Sequence, residues 1–267
     1  MKGEKVVFYR ILLFSGHMNS QMNHLRLIQT DDGSQTLQDD ALEVTYRSTQ
    51  GAKGESQHVF LGQSGLQAQQ RSWSVFELGF GGGRNCWETL HAFLNRSDAT
   101  HLLYVSVDHA PISMELFRTL LDNEPVPAEV WQMFEGLLGP GAHQVQRLVW
   151  SDGRVIELQL YQQGWEQVPS HLGPFDVVFH DPFGPQDNPQ AWTEDCFRWE
   201  KSQLKLSGRL VTYGAAGHVR RNMEQAGFIV GKASGFGRKR EMTVAVLDDK
   251  ELKGLKRFTN TKTGRQS

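Results

Sequence analysis

The sequence has few cysteines and no residue spacing typical of a metal site. Its two cysteines, Cys86 and Cys196, lie in apolar helical patterns without a CxxC or Cys/His spacing. This argues against a disulfide framework or a zinc site, and we interpret both as small buried hydrophobic residues in a reducing cytoplasm. The ten histidines show no ligand spacing either, so no metal is predicted.

Long apolar runs are also missing. No segment approaches the roughly 20 apolar residues of a membrane helix. Residues 6–14 are apolar, but Arg10 interrupts them and no small-residue cleavage site follows, which is untypical of a signal peptide. We interpret them as an edge strand, or as an upstream extension with Met18 or Met22 as the working start instead of Met1. We therefore expect no membrane partner and a cytoplasmic location.

A strong charge of one sign is absent as well. The formal net charge is −2 over 267 residues, which is not typical of a protein that binds nucleic acid over its whole surface. Residues 217–240, however, contain two lysines and four arginines against one acid, Glu224. Clustered basic residues of this kind can bind phosphates, or can form a solvated face.

What the sequence does contain is an alternation of apolar strand patterns and amphipathic helix patterns. Strands are predicted at 74–79, 102–107, 155–161, 175–180 and 209–213, and two adjacent strands follow at 228–232 and 241–247. A strand at 145–150 is predicted to pair with 155–161 in a hairpin, and helix patterns lie between most of the other strands. This order predicts a doubly wound, mostly parallel α/β sheet of seven strands with an antiparallel edge. We divide the chain into a lead-in with short strands (1–70), a main domain (71–250) and a basic, disordered tail (251–267).

The turn after the first of these strands is rich in glycine. Residues 75–86 read VFELGFGGGRNC, and the alternate glycines permit positive φ and close approach of a ligand. The pattern resembles the E/D-x-G-x-G-x-G signature of class I S-adenosylmethionine (SAM) methyltransferases. A dinucleotide-binding loop would instead require glycine at Arg84. The resemblance implies SAM contacts from Glu77, Gly79, Phe80, Gly81, Gly83 and Asn85, with the acid suited to the cationic end of SAM; an ordinary glycine-rich turn is the alternative.

Two further acids follow predicted strands. Asp108 ends the second strand, where nucleotide-binding α/β proteins place a carboxylate on ribose hydroxyls. Asp181 follows the apolar run 175–180, and the Pro and Gly residues after it keep the chain out of a helix. Because open α/β sheets bind ligands at the carboxyl ends of their strands, both acids are candidate site residues. A solvated loop acid at Asp108 and a turn or N-cap aspartate at Asp181 are the alternatives.

Several longer motifs resemble one family. Residues 77–85, 181–192, 212–221, 226–228 and 235–242 are similar to motifs of the methyltransferase domain of the bacterial tRNA 5-methylaminomethyl-2-thiouridine biosynthesis enzyme, and of its stand-alone relatives. Two positions depart from that pattern. Gln162 stands where the family often has an acid for the adenine amino group, and an amide can still accept that bond. Arg47 stands where the family usually has histidine, beside the retained Tyr46.

The resemblance implies SAM-dependent methylation of the exocyclic amine of 5-aminomethyluridine at a tRNA wobble position. Asp181 would be the catalytic base, because an alkylammonium must lose a proton before it attacks. Tyr46, Phe183 and Trp192 are expected on the substrate side, the last two stacking on the uracil or, alternatively, packing in the core. The basic residues expected on tRNA phosphates are Arg220, Arg221, Arg238, Lys239 and Arg240.

Other functions stay open at this stage. A methyltransferase acting on another amine would keep the glycine loop and Asp181 without needing the basic motif. A non-catalytic SAM- or RNA-binding module is a second alternative, and a dehydrogenase is disfavoured by Arg84. We expect a monomer that lacks the FAD-dependent oxidase part of the bifunctional enzyme, since the sequence ends at Ser267.

Overall fold

The computed structural model describes residues 24–66, 70–121 and 124–259. The interpretation of residues 6–14 as an edge strand or extension, and the alternative starts Met1, Met18 and Met22, lie outside these residues. Residues 260–267 of the predicted tail lie outside them too. Within the described residues, no helix has the length and apolarity needed to cross a membrane.

Two sheets and a set of helices make up this part of the chain. The small sheet contains β1 (Leu25–Gln29), β2 (Gln35–Asp39) and β3 (Val44–Thr45). The main sheet contains β4 (Ser72–Leu78), β5 (His101–Val107), β6 (His143–Val149), β7 (Val155–Tyr161), β8 (Phe175–His180), β9 (Leu204–Thr212), β10 (Ile229–Ser234), β11 (Glu241–Val246) and β12 (Lys256–Arg257). The helices are α1 (Ala52–Glu55), which continues as a π-helical segment (Ser56–Leu61), α2 (Arg84–Leu94), α3 (Met114–Leu120), α4 (Ala128–Leu137), α5 (Glu194–Ser202) and α6 (Gly217–Gln225).

The main sheet has the order β12-β10-β11-β9-β8-β4-β5-β7-β6. The five strands from β9 to β7 are parallel, whereas β11, β10, β12 and β6 pair antiparallel. The seven strands from β10 to β7 form the predicted doubly wound sheet of a class I methyltransferase, and this fold prediction is confirmed. The hairpin strand β6 and the short strand β12 extend the sheet at its two edges.

The C-terminal segment corrects one prediction. Strand β12 pairs with β10, and the backbone N–H of Phe258 donates to Val230 O at 2.8 Å. The Phe258 ring also lies 5.6 Å from the guanidinium carbon of Arg220. Because these contacts hold the chain against the sheet, the prediction of a disordered tail is wrong for residues 251–259.

The core lies on both faces of the sheet. Every residue of β8 is buried, as expected for a central parallel strand covered on both sides. One layer packs α2, α3 and α4 against the sheet and contains Cys86, while the other packs α5 and α6 and contains Cys196. Both cysteines are free and buried, which agrees with their interpretation as small hydrophobic residues.

The lead-in packs against the main domain near the carboxyl ends of the parallel strands. His58 of the π-helical segment is hydrogen-bonded through Nε2 to Ser234 O at 3.0 Å. The backbone N–H of Arg238 donates to the side chain of Gln50. The lead-in therefore contacts the loop that joins β10 to β11, and the two form one wall of the site described next.

Candidate active site

A large cleft opens at the carboxyl ends of β4, β5 and β8. Its volume of about 1630 Å³ exceeds the roughly 300–1,000 Å³ typical of a pocket for one small molecule. The lead-in, the glycine loop after β4, and the loops after β5, β7 and β8 all contribute to its lining. The cleft is therefore large enough for a nucleoside-sized cofactor and a second molecule together.

The glycine loop forms part of the cleft wall and requires its glycines. Gly79 has φ +94°, and a Cβ there would lie 2.6 Å from the backbone oxygen of Asp181. Gly81 has φ +52°, and its backbone N–H donates to Asp108 Oδ2 at 2.7 Å. These contacts bring the loop, Asp108 and Asp181 together, as their positions at three strand ends predict. Phe80 also lines the cleft.

Two oxygen acceptors in the cleft fit the adenosine part of SAM. Asp108 Oδ1 accepts the backbone N–H of Ala110 at 2.9 Å, which orients a carboxylate that can also accept ribose hydroxyls. Gln162 donates through Nε2 to Gly139 O at 2.7 Å. That bond leaves its Oε1 available to an amino group such as that of adenine. The departure at Gln162 from the family pattern is therefore compatible with SAM binding.

Three residues expected to touch SAM lie beneath the cleft instead of in its lining. Gly83 caps α2 with φ +70°, and a Cβ there would meet the rings of Phe117 and Phe80. Glu77 is completely buried and accepts hydrogen bonds from Asn85 Nδ2 at 2.9 Å and from the Ser106 hydroxyl. The expectation of direct SAM contacts from Glu77, Gly83 and Asn85 is corrected, because neighbouring side chains already surround them.

Burial also changes the charge of Glu77. Loss of water raises the pKa of Glu77 to about 8, and the negative charge of Asp181 acts in the same direction. Glu77 is therefore mostly protonated at neutral pH.

Asp181 lies at the bottom of the cleft with its two oxygens in different surroundings. Oδ2 accepts from Asn85 Nδ2 at 2.9 Å and forms an ion pair with Arg47. Among the described residues no hydrogen bond reaches Oδ1, and Asp181 lines the cleft. Its side chain is 7% exposed, and burial raises its pKa to about 7, opposed by the charge of Arg47. A carboxylate with one held oxygen and one free oxygen can accept a proton near neutral pH.

Arg47 is the site residue that sequence reasoning missed. Its position after β3 lies beside Tyr46 where the family usually has histidine, and that pattern does not indicate a contact with Asp181. Its side chain is 7% exposed and pairs with Asp181. Only the packing of the lead-in against the sheet brings the two residues together, so a signal in the sequence near Arg47 is not expected.

The aromatic candidates separate into cleft and core. Tyr46 and Phe183 line the cleft, with their rings edge to face at 5.0 Å. Trp192 is 2% exposed, donates its indole N–H to Phe183 O at 2.7 Å and packs on His180. Stacking of Trp192 on a base is therefore excluded by its packing, and the alternative of core packing is correct for this residue.

Of the five basic candidates, some line the cleft and others are buried or lie outside its lining. Arg238 and Lys239 are exposed and line the cleft, and Arg240 is exposed on the same loop. Arg221 on α6 is half-buried and outside the cleft lining. Arg220 is 3% exposed and donates to Glu241, Thr243 and the backbone oxygen of Met242. The expectation that Arg220 contacts tRNA phosphates is corrected, since its guanidinium already bonds within the protein.

A buried polar group lies next to Asp181 in the α5 layer. His180 Nδ1 is 2.9 Å from Glu200 Oε1, and Cys196 Sγ is nearby. All three side chains are buried against the core. The direct bond between imidazole and carboxylate accounts for this pair, and we assign no metal to it.

Comparisons with known proteins agree with this geometry. Residues 139–248 match the family described as S-adenosyl-L-methionine-dependent methyltransferase. The chain is 34% identical over 209 residues to the tRNA 5-methylaminomethyl-2-thiouridine biosynthesis bifunctional protein MnmC of Cupriavidus necator, covering 75% of this chain and 31% of that protein. It is 35% identical over 214 residues to the protein of the same name from Idiomarina loihiensis, covering 74% of this chain and 34% of that protein. The chain thus spans about a third of the length of these relatives.

A solved structure supports the fold. The crystal structure of MnmC2 from Aquifex aeolicus superposes with a TM-score of 0.62, at 24% identity, over 88% of this chain and 76% of that one. Together with the glycine loop and the acceptors Asp108 and Gln162, these matches confirm the predicted cofactor. Residues 139–248 thus match the S-adenosyl-L-methionine-dependent methyltransferase family, and the fold is that of a class I methyltransferase.

Proposed function

We propose that the chain methylates the exocyclic amine of 5-aminomethyluridine, with or without a 2-thio group, at the wobble position of tRNA. The observation that carries the proposal is the placement of Asp181. This residue lines a cleft whose other lining residues include the glycine loop on one side and Arg238 and Lys239 on another. The names of the relatives give tRNA and 5-methylaminomethyl-2-thiouridine, which is the N-methylated form of a 5-aminomethyl-2-thiouridine.

The chemistry of the amine explains why a carboxylate is needed. An aminomethyl group has a pKa of roughly 10 by analogy with lysine, so it binds largely as an ammonium without a lone pair. Oδ1 of Asp181 accepts one of its protons and orients the nitrogen that remains. SAM, when bound, supplies an electrophilic methyl group on a sulfonium centre. Positioning of the amine then contributes most of the rate, up to roughly 7–11 kcal/mol in favourable cases.

The residues around Asp181 are suited to binding a uracil nucleobase that is part of a tRNA. Phe183 and Tyr46 offer aromatic surface for a uracil that has left its stack. Arg238 and Lys239 are exposed at the cleft and would bind phosphates next to the modified nucleotide. Arg240 and Arg221 would extend this contact along the backbone. The net charge of −2 gives no other reason to expect RNA binding.

The proposed function also bears on the domain bounds, the location and the oligomeric state of the protein. We assign the methyltransferase domain to residues 71–250, and β12 adds an edge strand to its sheet. The lead-in within residues 1–70 completes the cleft through Tyr46 and Arg47. We place the protein in the cytoplasm, where its tRNA substrate is found, and expect it to act as a monomer because both walls of the cleft come from one chain.

The test uses SAM labelled in its methyl group and tRNA from a strain that accumulates aminomethyluridine. Label should enter the wobble nucleoside of this tRNA and stay out of tRNA that lacks the amine. The Asp181→Asn variant serves as the matched control. Transfer of label to a free amine or a protein instead would favour a different N-methyltransferase. SAM binding with no transfer to any acceptor would favour a non-catalytic module.

A further inference from the structure

The lead-in places a buried arginine on the proposed base. Arg47 follows β3, and its Nη2 forms an ion pair with Asp181 Oδ2, both side chains being 7% exposed. The guanidinium carbon also lies 5.3 Å from the centre of the Phe60 ring, so the side chain is held by packing as well as by charge. A guanidinium keeps its charge at any pH that the protein tolerates.

We propose that Arg47 is a positioning residue for Asp181. It keeps the buried carboxylate ionised near neutral pH and holds Oδ2, so that Oδ1 is the oxygen offered to the substrate amine. This inference rests on the proposed function in assigning the amine, but the effect of Arg47 on Asp181 can be measured without any substrate.

The need for a permanent cation follows from burial. A carboxylate removed from water takes up a proton unless charge or hydrogen bonds compensate for the lost hydration. The Asn85 amide donates a hydrogen bond to Asp181 but carries no charge. Arg47 supplies the charge that opposes burial and holds the pKa of Asp181 at about 7 and no higher.

The acids and phenols around Asp181 act against its ionisation or are uncharged. Glu55 of α1 is buried, and its negative charge raises the pKa of Asp181. Glu77 of β4 is largely protonated at neutral pH, because burial raises its pKa to about 8. Burial also raises the pKa values of Tyr104 on β5 and Tyr213 after β9, so both phenols stay neutral.

Three other charged or titratable groups lie farther out. Asp187 on the loop after β8 is exposed to solvent and screened by it. Lys239 Nζ lies 4.2 Å from the centre of the Tyr213 ring and is also exposed. His180 is directed into the α5 layer, where it bonds to Glu200. Among the residues that the structure describes, Arg47 is therefore the cation in direct contact with Asp181.

The first test compares the pH profiles of kcat/KM for the wild-type protein, Arg47→Gln and Arg47→Lys on aminomethyluridine tRNA. Arg47→Gln removes the positive charge next to the Asp181 carboxylate. The acid limb of its kcat/KM profile should therefore lie about one to three pH units higher than that of the wild type. Its rate should approach that of the wild type in alkaline buffer. Arg47→Lys, which keeps a charge without the planar fork, should show a smaller displacement. Calorimetry with SAM and circular dichroism check that both variants fold.

A uniform loss of activity with an unmoved acid limb in Arg47→Gln would show that Arg47 is merely structural and would overturn the inference. If Arg47→Gln does not fold, carbon-13 and nitrogen-15 NMR of the wild-type protein decides. The carboxyl signal of Asp181, assigned by its loss in Asp181→Asn, should titrate together with the side-chain nitrogen signals of Arg47. Independent titration of the two would reject the inference. Because this measurement needs no tRNA, it separates failure of the inference from failure of the proposed function.

Discussion

Replacement of Asp181 by asparagine removes the proposed proton acceptor while keeping the size of the side chain. An asparagine oxygen can still accept from Asn85 and Arg47, which bond to Oδ2 in the wild-type protein. The variant should therefore fold and bind SAM. A general base typically contributes about 100- to 10,000-fold, so kcat/KM at pH 7 should fall by at least about 100-fold, or about 2.7 kcal/mol of transition-state stabilisation.

The pH dependence of the variant separates proton transfer from other roles. An amine with a pKa of roughly 10 is about 0.1% free base at pH 7 and about 10% at pH 9. The rate of Asp181→Asn should consequently rise about 100-fold over this range, since solvent then supplies the deprotonated amine. The wild type should rise only about twofold, because burial raises the pKa of Asp181 to about 7 and the carboxylate is already half ionised at that pH.

The assay measures methyl transfer from labelled SAM to aminomethyluridine tRNA between pH 7 and pH 9. Asp195→Asn is the matched control, because Asp195 lies on α5 with its side chain 80% exposed. It should retain the wild-type rate at every pH. The reasoning is refuted if Asp181→Asn turns over at a near wild-type rate at pH 7, or if its deficit is the same at pH 7 and pH 9.

Three further results are expected. Gly81→Val should abolish SAM binding in calorimetry, because φ is +52° and a Cβ would project towards Tyr46 at the cleft wall. The control Gly153→Val, with φ +88° and open space around it, should bind SAM normally. Equal SAM affinity in the two variants would refute the assignment of the glycine loop to SAM binding. Charge reversal at Arg238 and Lys239 should raise the KM for tRNA, more strongly at low salt, without changing SAM affinity; an unchanged KM would place the RNA elsewhere. Burial raises the pKa of Glu77 to about 8, so the folded state holds a proton that the unfolded state has lost. The free energy of unfolding should therefore fall as pH rises from about 5 to 8, and urea unfolding of Glu77→Gln should show a weaker fall; an identical slope would contradict the assigned protonation.

Local patterns were sufficient to predict the frame of the site. The glycine loop needs positive φ at alternate positions, and Asp108 and Asp181 each follow an apolar strand, so their places at the carboxyl edge could be inferred from a few neighbouring residues. The alternation of strands and helices likewise predicted the seven-stranded doubly wound sheet. The added edge strand β12 was missed, because two paired residues in a basic segment have no periodicity to detect.

Roles that depend on burial were predicted less well. Arg220 was expected on phosphates and Trp192 on a base, yet each is buried by residues distant in sequence. The sequence of a basic motif does not show whether its arginine is exposed to solvent or paired with a carboxylate of a neighbouring strand. The environment of such a side chain is decided by the packing of α6 and of the loop after β8 against the sheet.

The sequence by itself therefore determined the class of enzyme and its cofactor, through motifs that resemble those of known methyltransferases. It also determined the carboxylate at the end of β8, because that position depends on strand order. The tertiary structure alone decided the state of that carboxylate. Arg47 and Asn85 reach Asp181 from separate parts of the chain, and Glu77 is deprived of water beneath it. Charge and hydration at one oxygen are set by everything packed within a few ångströms, and that set of neighbours exists only in the folded chain.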